Sequence, residues 1–566
     1  MESRTFKNVH FIRLKGTHRE RAEQHGRLIA ELPREVQRQL AFTPLSRMNQ
    51  ALIRRSTHRL PGVGRLISGL YEAFVLERYL RLPKAYRSRL TPFARASKIP
   101  LKKIWLSLYQ ADFLMILAAS ANPKNRSHYL QGLPGCSTAR ICSDQTTYFL
   151  RNLDYPAVSY WEKHPAVIFH EPSEAGSQKY VSMTSLGVPI AGVTGWNESG
   201  IALSLHAHFS KNVSLKGVPI FFLGEDILER ARTLNEAIEL CRKFRPMGAW
   251  GLNITSFREN RSVTIEIVNG DIYVREPDQA SGIAHSNHFQ SPEFQKSELQ
   301  FLGAYLEDSA SRKKTLEEAA KVLSTDFTWS AALSVLGSHH EPNTKEKRIF
   351  GNILSTPTVI QSMGFDPKEK CIYLSIRDEA PTGLGPYLKI PLDFDQLPFD
   401  QLPKDENWQT VQIPSHHTPE FLAALHLYHQ AYVSFQVHHE DPKVAHAFLI
   451  QATELLPNDP HLQLQRGYFE LINEQAQEAW NCFNRAIESP LTPHLRQIAL
   501  YFRACANDLL GNREAAIKDC QILLEFGKTE RRLAKKAKKR LNSPFQSNYC
   551  KRIEPDLQFA EPLNYP

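Results

Sequence analysis

The sequence predicts an α+β fold of stacked β-sheets covered by helices, followed by a separate all-α domain. Three observations carry this reading. β-Prone runs and helical runs fall into groups between about residues 147 and 376, without the strict alternation of a βαβ chain. A proline-rich stretch over 393–420 resists regular structure and marks a boundary. Beyond it, small and apolar residues recur with a 34-residue period.

The first 135 residues read as a helical segment, with helix expected from about 15 to 120. Thr17 and Glu20 have capping-box spacing at its opening. The longest apolar window, 104–120, is broken by Gln110 and Asp112, so it reads as a buried helix and no transmembrane segment is expected. After Gly135 come strand-like runs at 147–150, 166–169, 180–184 and 201–206. Helices at 222–231 and 234–243 follow, the second capped by Thr233. Asn269-Gly270-Asp271 separates two more strands as a hairpin turn. Helices at 309–323 and 329–336 and strands at 357–363 and 371–376 complete a domain running from 136 to 392.

The stretch 393–420 then reads as a linker, with the duplication Asp395-Gln396-Leu397-Pro398 and Asp400-Gln401-Leu402-Pro403. In the region 421–527, Ala445, Leu449 and Ala452 recur as Ala479, Phe483 and Ala486, and again as Ala516, Cys520 and Leu523 after a three-residue insertion. Small residues at helical spacing and this period resemble tetratricopeptide repeats. Residues 528–566 form a basic helix and tail, with seven positive charges in the ten residues 531–540. Such a run suits nucleic acid, an anionic membrane surface, or the solvated face of a terminal helix. No aromatic side chains interleave with it, so nucleic acid is not an expected partner. Eight cysteines without a CxxC pair, and an N-terminus without an apolar stretch, point to a cytoplasmic setting or to export without a cleavable signal.

The residues that suggest chemistry begin at Gly135-Cys136. A thiol is nucleophilic as its thiolate, and an α-amine on the same residue can accept the thiol proton. Cutting the Gly135–Cys136 bond would therefore place nucleophile and base on one residue. Glycine before the cysteine suits such a cut through its backbone freedom. Fifteen residues on, Arg151 and Asp154 stand three apart and can reach back from a neighbouring strand, or form an ion pair at a strand end. Gly195-Trp196-Asn197-Glu198-Ser199-Gly200 and His285-Ser286-Asn287-His288-Phe289 follow strands, where asparagine amides suit an oxyanion hole or an ordinary turn. The pairs His339-His340, His416-His417 and His438-His439 lack Cys or carboxylate partners at ligand spacing, so no metal is expected. Cys142 reads as a buried bystander, and no phosphate-binding glycine loop is present.

Taken in order, these motifs resemble the isopenicillin-N acyltransferase family of cysteine N-terminal nucleophile hydrolases, related to choloylglycine hydrolases and acid-ceramidase-like amidases. The opening Gly16-Thr17-His18-Arg19-Glu20 to Gln24-His25-Gly26 also looks like that family's propeptide. The resemblance implies a four-layer αββα fold and residues 1–135 as a docked propeptide or small subunit. It also implies Cys136 as nucleophile, Asp154 positioning its amine, Arg151 contacting thiol and substrate, and Asn197 and Asn287 as oxyanion and amine partners. Arg312 is the nearest match to the family's pocket arginine, and Trp196 is a departure that would reshape the acyl pocket. The implied activity is amide hydrolysis or acyl transfer through a thioester, on a small-molecule amide or acyl donor such as an acyl-coenzyme A, with no cofactor. The competing reading is a catalytically idle scaffold whose repeats bind a protein or peptide.

Overall fold

The computed structural model describes residues 2–40, 63–121, 135–143, 146–155, 157–190, 192–276, 282–299, 303–404, 407–414, 416–527 and 530–566. Two strands open the chain, β1 (Glu2–Phe6) and β2 (Val9–Gly16). Helices follow: α1 (His18–Glu31), α2 (Arg34–Arg38), α3 (Val63–Arg81), α4 (Lys84–Ser97), α5 (Leu101–Leu108) and α6 (Gln110–Ser120). Thr17 caps α1 in a full capping box with Glu20. The segment expected to be helical thus also supplies two strands. β2 was hidden because its alternation is short and ends in Arg13 and Lys15, which pair with Glu2 and Glu171.

The strands after Gly135 are β3 (Gly135–Ser143), β4 (Thr146–Asp154), β5 (Pro165–Pro172), β6 (Tyr180–Ser185), β7 (Thr194–Asn197) and β8 (Ile201–His208). Then come α7 (Phe221–Arg230), α8 (Leu234–Lys243), β9 (Ala249–Ser256), β10 (Arg261–Val268), β11 (Asp271–Arg275), β12 (Ile283–His285) and α9 (Pro292–Gln295). Thr233 caps α8, and the β10–β11 turn places both Asn269 and Gly270 at positive φ. The domain closes with α10 (Gly303–Leu323), α11 (Trp329–Leu336), β13 (Val359–Asp366), β14 (Cys371–Ser375), β15 (Tyr387–Pro391) and β16 (Thr410–Val411).

Among the described residues these strands make two sheets, β1-β2-β5-β6-β7-β8-β9-β10-β11 and β12-β3-β4-β13-β14-β15-β16. Strand alternation divides the residues between the faces of each sheet. Phe11, Phe149, Met183, Trp196 and Phe365 fill the layer between the sheets. Leu150, Leu316, Ala320 and Leu333 bury α10 and α11 against the outer face of the second sheet. Leu203, Leu205, Ile227 and Leu228 do the same for α7 on the first. The layers run helix, sheet, sheet, helix.

The N-terminal segment is woven into this core. β2 runs parallel to β5, and Arg21 and Arg89 are buried against Glu229, Glu225 and Asp226 of α7. Against its burial, a hydrogen bond with His18 and the Arg21 and Arg89 guanidiniums hold the Glu229 carboxyl well below the usual carboxylate range.

The stretch 393–420 is not a free linker. Phe399 and Leu402 are buried in the inter-sheet core, and β16 extends the second sheet beside β15. Pro398 opens a 3-10 turn and Pro419 the first turn of a helix, so the prolines begin local structure without freeing the chain, and the apolar residues between them have a core to enter.

Helices α12 (Pro419–Tyr432), α13 (Pro442–Leu455), α14 (Pro460–Ile472), α15 (Ala476–Glu488), α16 (Pro493–Leu509), α17 (Arg513–Glu525) and α18 (Arg531–Asn542) form an array of antiparallel pairs. The periodic residues Ala445, Leu449, Ala452, Ala479, Phe483, Ala486, Ala516, Cys520 and Leu523 are all buried. Small residues at those positions let successive helices approach closely.

The tail is not a solvated extension. Residues 556–566 lie along the first helices of the pairs. Tyr428 Oη donates to the Leu557 carbonyl, Gln465 Nε2 to those of Asp556 and Phe559 (both 2.6 Å), and Tyr468 Oη to that of Ala560 (3.0 Å). Leu557, Phe559, Leu563 and Tyr565 are buried there. The face that a peptide partner was expected to occupy is filled by the chain itself. Because Leu563 is fully buried, Leu563→Ala is expected to cost about 2–5 kcal/mol. The readout is the denaturant midpoint, which an undocked tail would leave unmoved.

Candidate active site

Cys136 is the second residue of β3, opposite Leu153 of β4, so its side chain stands at the end of the sheet sandwich beside the first sheet. Its backbone N–H donates to Asn287 Oδ1 at 2.7 Å, and the Asn287 amide is fixed in turn by donating to the Ala207 carbonyl at 2.9 Å. Arg151, two residue pairs along the ladder and so on the same face, directs Nη2 at the Cys136 sulfur (3.4 Å) and at the Leu205 carbonyl (2.9 Å). The cysteine thus meets Arg151 and Asn287 together.

Asp154 sits opposite Gly135. Its Oδ2 accepts from Thr356 Oγ1 at 3.1 Å, whereas Oδ1 is buried with no hydrogen-bond partner among the described residues. A side chain at position 135 would meet Asp154 Oδ2 at 2.6 Å. The need for glycine is therefore the carboxylate pressed against it.

Burial pushes the Cys136 thiol up, opposed by the Arg151 and Arg312 guanidiniums and by the Asp154 backbone amide. Burial also raises the Asp154 carboxyl to about 6 against the pull of Arg312. His206, within 3.0 Å of Thr138 Oγ1, is driven well down by burial and by Arg151, and so is a neutral imidazole.

Three expected site residues take other places. Arg312 lies within α10 and donates to Asp308 (2.8 Å), the Cys136 carbonyl (2.8 Å), Ser137 Oγ (2.8 Å) and Asn287 Oδ1 (3.1 Å). It is a clamp on the nucleophile's backbone and does not line the pocket. Asn197 donates to the Leu228 and Ala231 carbonyls (3.0 and 2.9 Å) and accepts from the Ile201 N–H (2.9 Å), so it ties α7 to the β7–β8 turn. Its amide is fully used there and makes no contact with Cys136. Trp196 packs between the sheets against Phe365 and Phe257, because strand alternation turns it inward.

The cavity at Cys136 is lined by other side chains, among them Leu108, Tyr155, Trp161, Ile190, Phe221 and Trp250. The open space is small, about 40 Å³, and nearly all carbon. Trp161 adds a buried ring N–H without a partner among the described residues. Trp250 Nε1 and the Gly248 N–H both donate to Asp112 Oδ1 at 3.0 Å, so α6 braces the far wall. Sequence reasoning missed Trp161 and Trp250. Trp161 lies just past the Arg-Asn-Leu-Asp-Tyr segment, and tryptophan beside that motif was the available signal.

Residues 142–380 match the family model of acyl-coenzyme A:6-aminopenicillanic acid acyl-transferase. The match spans less than half of the chain and begins just beyond Cys136. It supports an N-terminal nucleophile hydrolase fold and an enzyme acting on amides or acyl groups. No curated protein matches the chain. A solved structure, the Caenorhabditis elegans N-acylethanolamine-hydrolyzing acid amidase (NAAA) ortholog, is similar at 15% identity and a TM-score of 0.31 over 41% of this chain and 94% of that one.

Among the described residues, His18, Glu174 and Glu229 come close enough to share a cation, but Arg21 already occupies both carboxylates, at 3.4 and 3.1 Å. None of the described helices is long and apolar enough to cross a membrane.

Arg151 is the contact that favours thiolate. Arg151→Ala is expected to slow alkylation of Cys136 roughly tenfold at neutral pH, about one unit of thiol acidity. Peptide mapping after timed exposure to iodoacetamide measures it.

Proposed function

We propose that this protein is a self-processing cysteine amidohydrolase or acyltransferase that acts on a small linear amide bearing an apolar acyl group. The observation that carries the reading is the joint placement of Cys136 against Arg151, Asn287 and an unmatched Asp154 oxygen, at the mouth of a carbon-lined cavity.

In the intact chain Cys136 nitrogen is an amide with a single hydrogen, and Asn287 accepts it. Cleavage after Gly135 turns that nitrogen into an amine with further hydrogens, beside the Asp154 oxygen that lacks a donor. The amine takes the thiol proton, and sulfur attacks the amide carbonyl carbon. The C–N bond breaks, the leaving amine departs with the proton, and a thioester remains on Cys136. Water, or an acceptor amine, then attacks the thioester and returns the thiol. Arg151 stabilises the sulfur anion at both ends of this cycle. Trp161 offers its ring N–H to a polar atom of the substrate.

The acyl group is apolar because the cavity offers carbon to it. With about 40 Å³ open, a long chain enters only if the segment carrying Val188 and Ile190 moves. The idle-scaffold reading depends on a repeat face free for a partner, and residues 556–566 fill that face.

Wild type on a denaturing gel is expected to give two bands, with the larger beginning at Cys136, whereas Cys136→Ala and Gly135→Ala stay full length. Uncut wild type that still forms a thioester with an acyl probe would refute self-processing alone. Absence of both cutting and labelling would refute the enzyme.

The pH profile follows from Asp154. Its carboxyl, raised to about 6, must be ionised to hold an amine, so activity is expected to fall as pH drops through about 6. In Asp154→Asn the acid limb at that pH disappears together with most of the rate.

A further inference from the structure

Two histidine pairs set aside as metal ligands meet in the folded chain. His339, His340, His416 and His417 line one cavity of about 450 Å³ where α10, α11 and the approach to α12 come together. The His339 and His417 rings stand edge to face with centroids 5.1 Å apart. Lys347 and Arg377 also line it, and no Asp or Glu is among its lining residues. Opposed to these in character, Val335, Leu384, Ile413 and Leu422 supply carbon to the same space. It shares no residue with the cavity at Cys136.

The charge in this cavity is poorly matched. Arg377 is served by Glu379 at 3.2 Å, and Glu379 also meets His426 at 2.9 Å on α12. Glu346 acts on His340 through space. Lys347 donates to the His416 carbonyl oxygen at 2.6 Å. His339 donates its Nδ1–H to the Arg348 carbonyl at 2.9 Å, and its Nε2 is buried with no partner among the described residues. Burial and mutual repulsion push His339 down to about 3 and His417 to about 4, with His340 lowered also. An anion would reverse the repulsion and draw protons onto these rings.

We propose that this cavity binds a small amphiphilic anion, its phosphate or carboxylate against Lys347 and the histidines and its apolar body against Val335, Leu384, Ile413 and Leu422. The volume falls within the range of about 300–1,000 Å³ usual for small-molecule sites. Thr315 of the lining is one turn of α10 from Arg312, the clamp on Cys136, so an occupant touches the helix that holds the nucleophile.

Titration calorimetry on the full chain tests this with three probes: inorganic pyrophosphate, hexyl phosphate and hexanoate. Hexyl phosphate binding without hexanoate assigns the site to phosphates, and the converse assigns it to carboxylates. Because binding takes up protons, affinity is expected to rise roughly tenfold from about pH 8 to about pH 6. Lys347→Glu is expected to weaken binding roughly tenfold or more, and Lys347→Ala less. Leu422→Ser should weaken the alkyl probes and spare pyrophosphate. Thermal melts establish that each variant is folded. Failure of all three probes to bind at about 1 mM, or equal affinity in folded Lys347→Glu, would overturn the proposal.

Discussion

The site depends on one buried cation. Arg151 is fully enclosed, and none of the described carboxylates lies within ion-pair distance of it. A guanidinium in that position costs several kcal/mol unless something supplies compensating polarity. The Leu205 carbonyl, the Thr138 hydroxyl and the Cys136 sulfur supply it, and of the three only sulfur can become an anion. Asp154 acts on the same guanidinium through space while its own oxygen is held by Thr356. Burial alone disfavours both the thiolate and the guanidinium. Together each makes the other's charged form less costly, which is why a closed, carbon-lined space can hold a nucleophile.

Closure of that space is the work of the first 121 residues. β1 and β2 belong to the larger sheet, α5 supplies Ser107 and Leu108 to the cavity wall, and α6 holds Trp250 through Asp112. The ionic cluster of Arg21 and Arg89 with α7 is shut away from water, and losing one partner from such a cluster leaves a charge stranded. A cut in the chain ahead of Cys136 therefore leaves this segment in place as part of the same core.

Much of this was legible in the sequence, and the misses have physical causes. Cys136, Arg151 and Asp154 lie on two strands paired across a short connection, whereas Asn287 follows β12 far along the chain and was reached only through the family resemblance. Capping residues located α1 and α8, because a cap is a local hydrogen bond. Trp196 and Asn197 were misplaced because each depends on which face of β7 looks toward which layer, and that is decided by the sheet as a whole. Arg312 was found by position but not by role: its partners Asp308, Ser137 and Asn287 come from three separate elements. The stretch at 393–420 misled because proline content reports backbone restriction and says nothing of whether Phe399 has a core to enter. The burial of residues 556–566 was not legible, since only the folded helical array can receive that apolar run.

That tail also sets the order in which the molecule is completed. Glu561 Oε2 accepts from the Ala304 N–H at 2.9 Å and pairs with His494 at 2.8 Å, while Phe559 packs edge-on against Tyr305, whose hydroxyl donates to the Asn287 carbonyl. The start of α10 thus waits on residues 257 positions further along. At synthesis rates of about 5–20 residues per second, that is a delay of roughly 13–50 s during which the nucleophile's strand has emerged but its supporting helix is unbraced. A nascent chain on the ribosome carries Cys136 long before it carries a finished site.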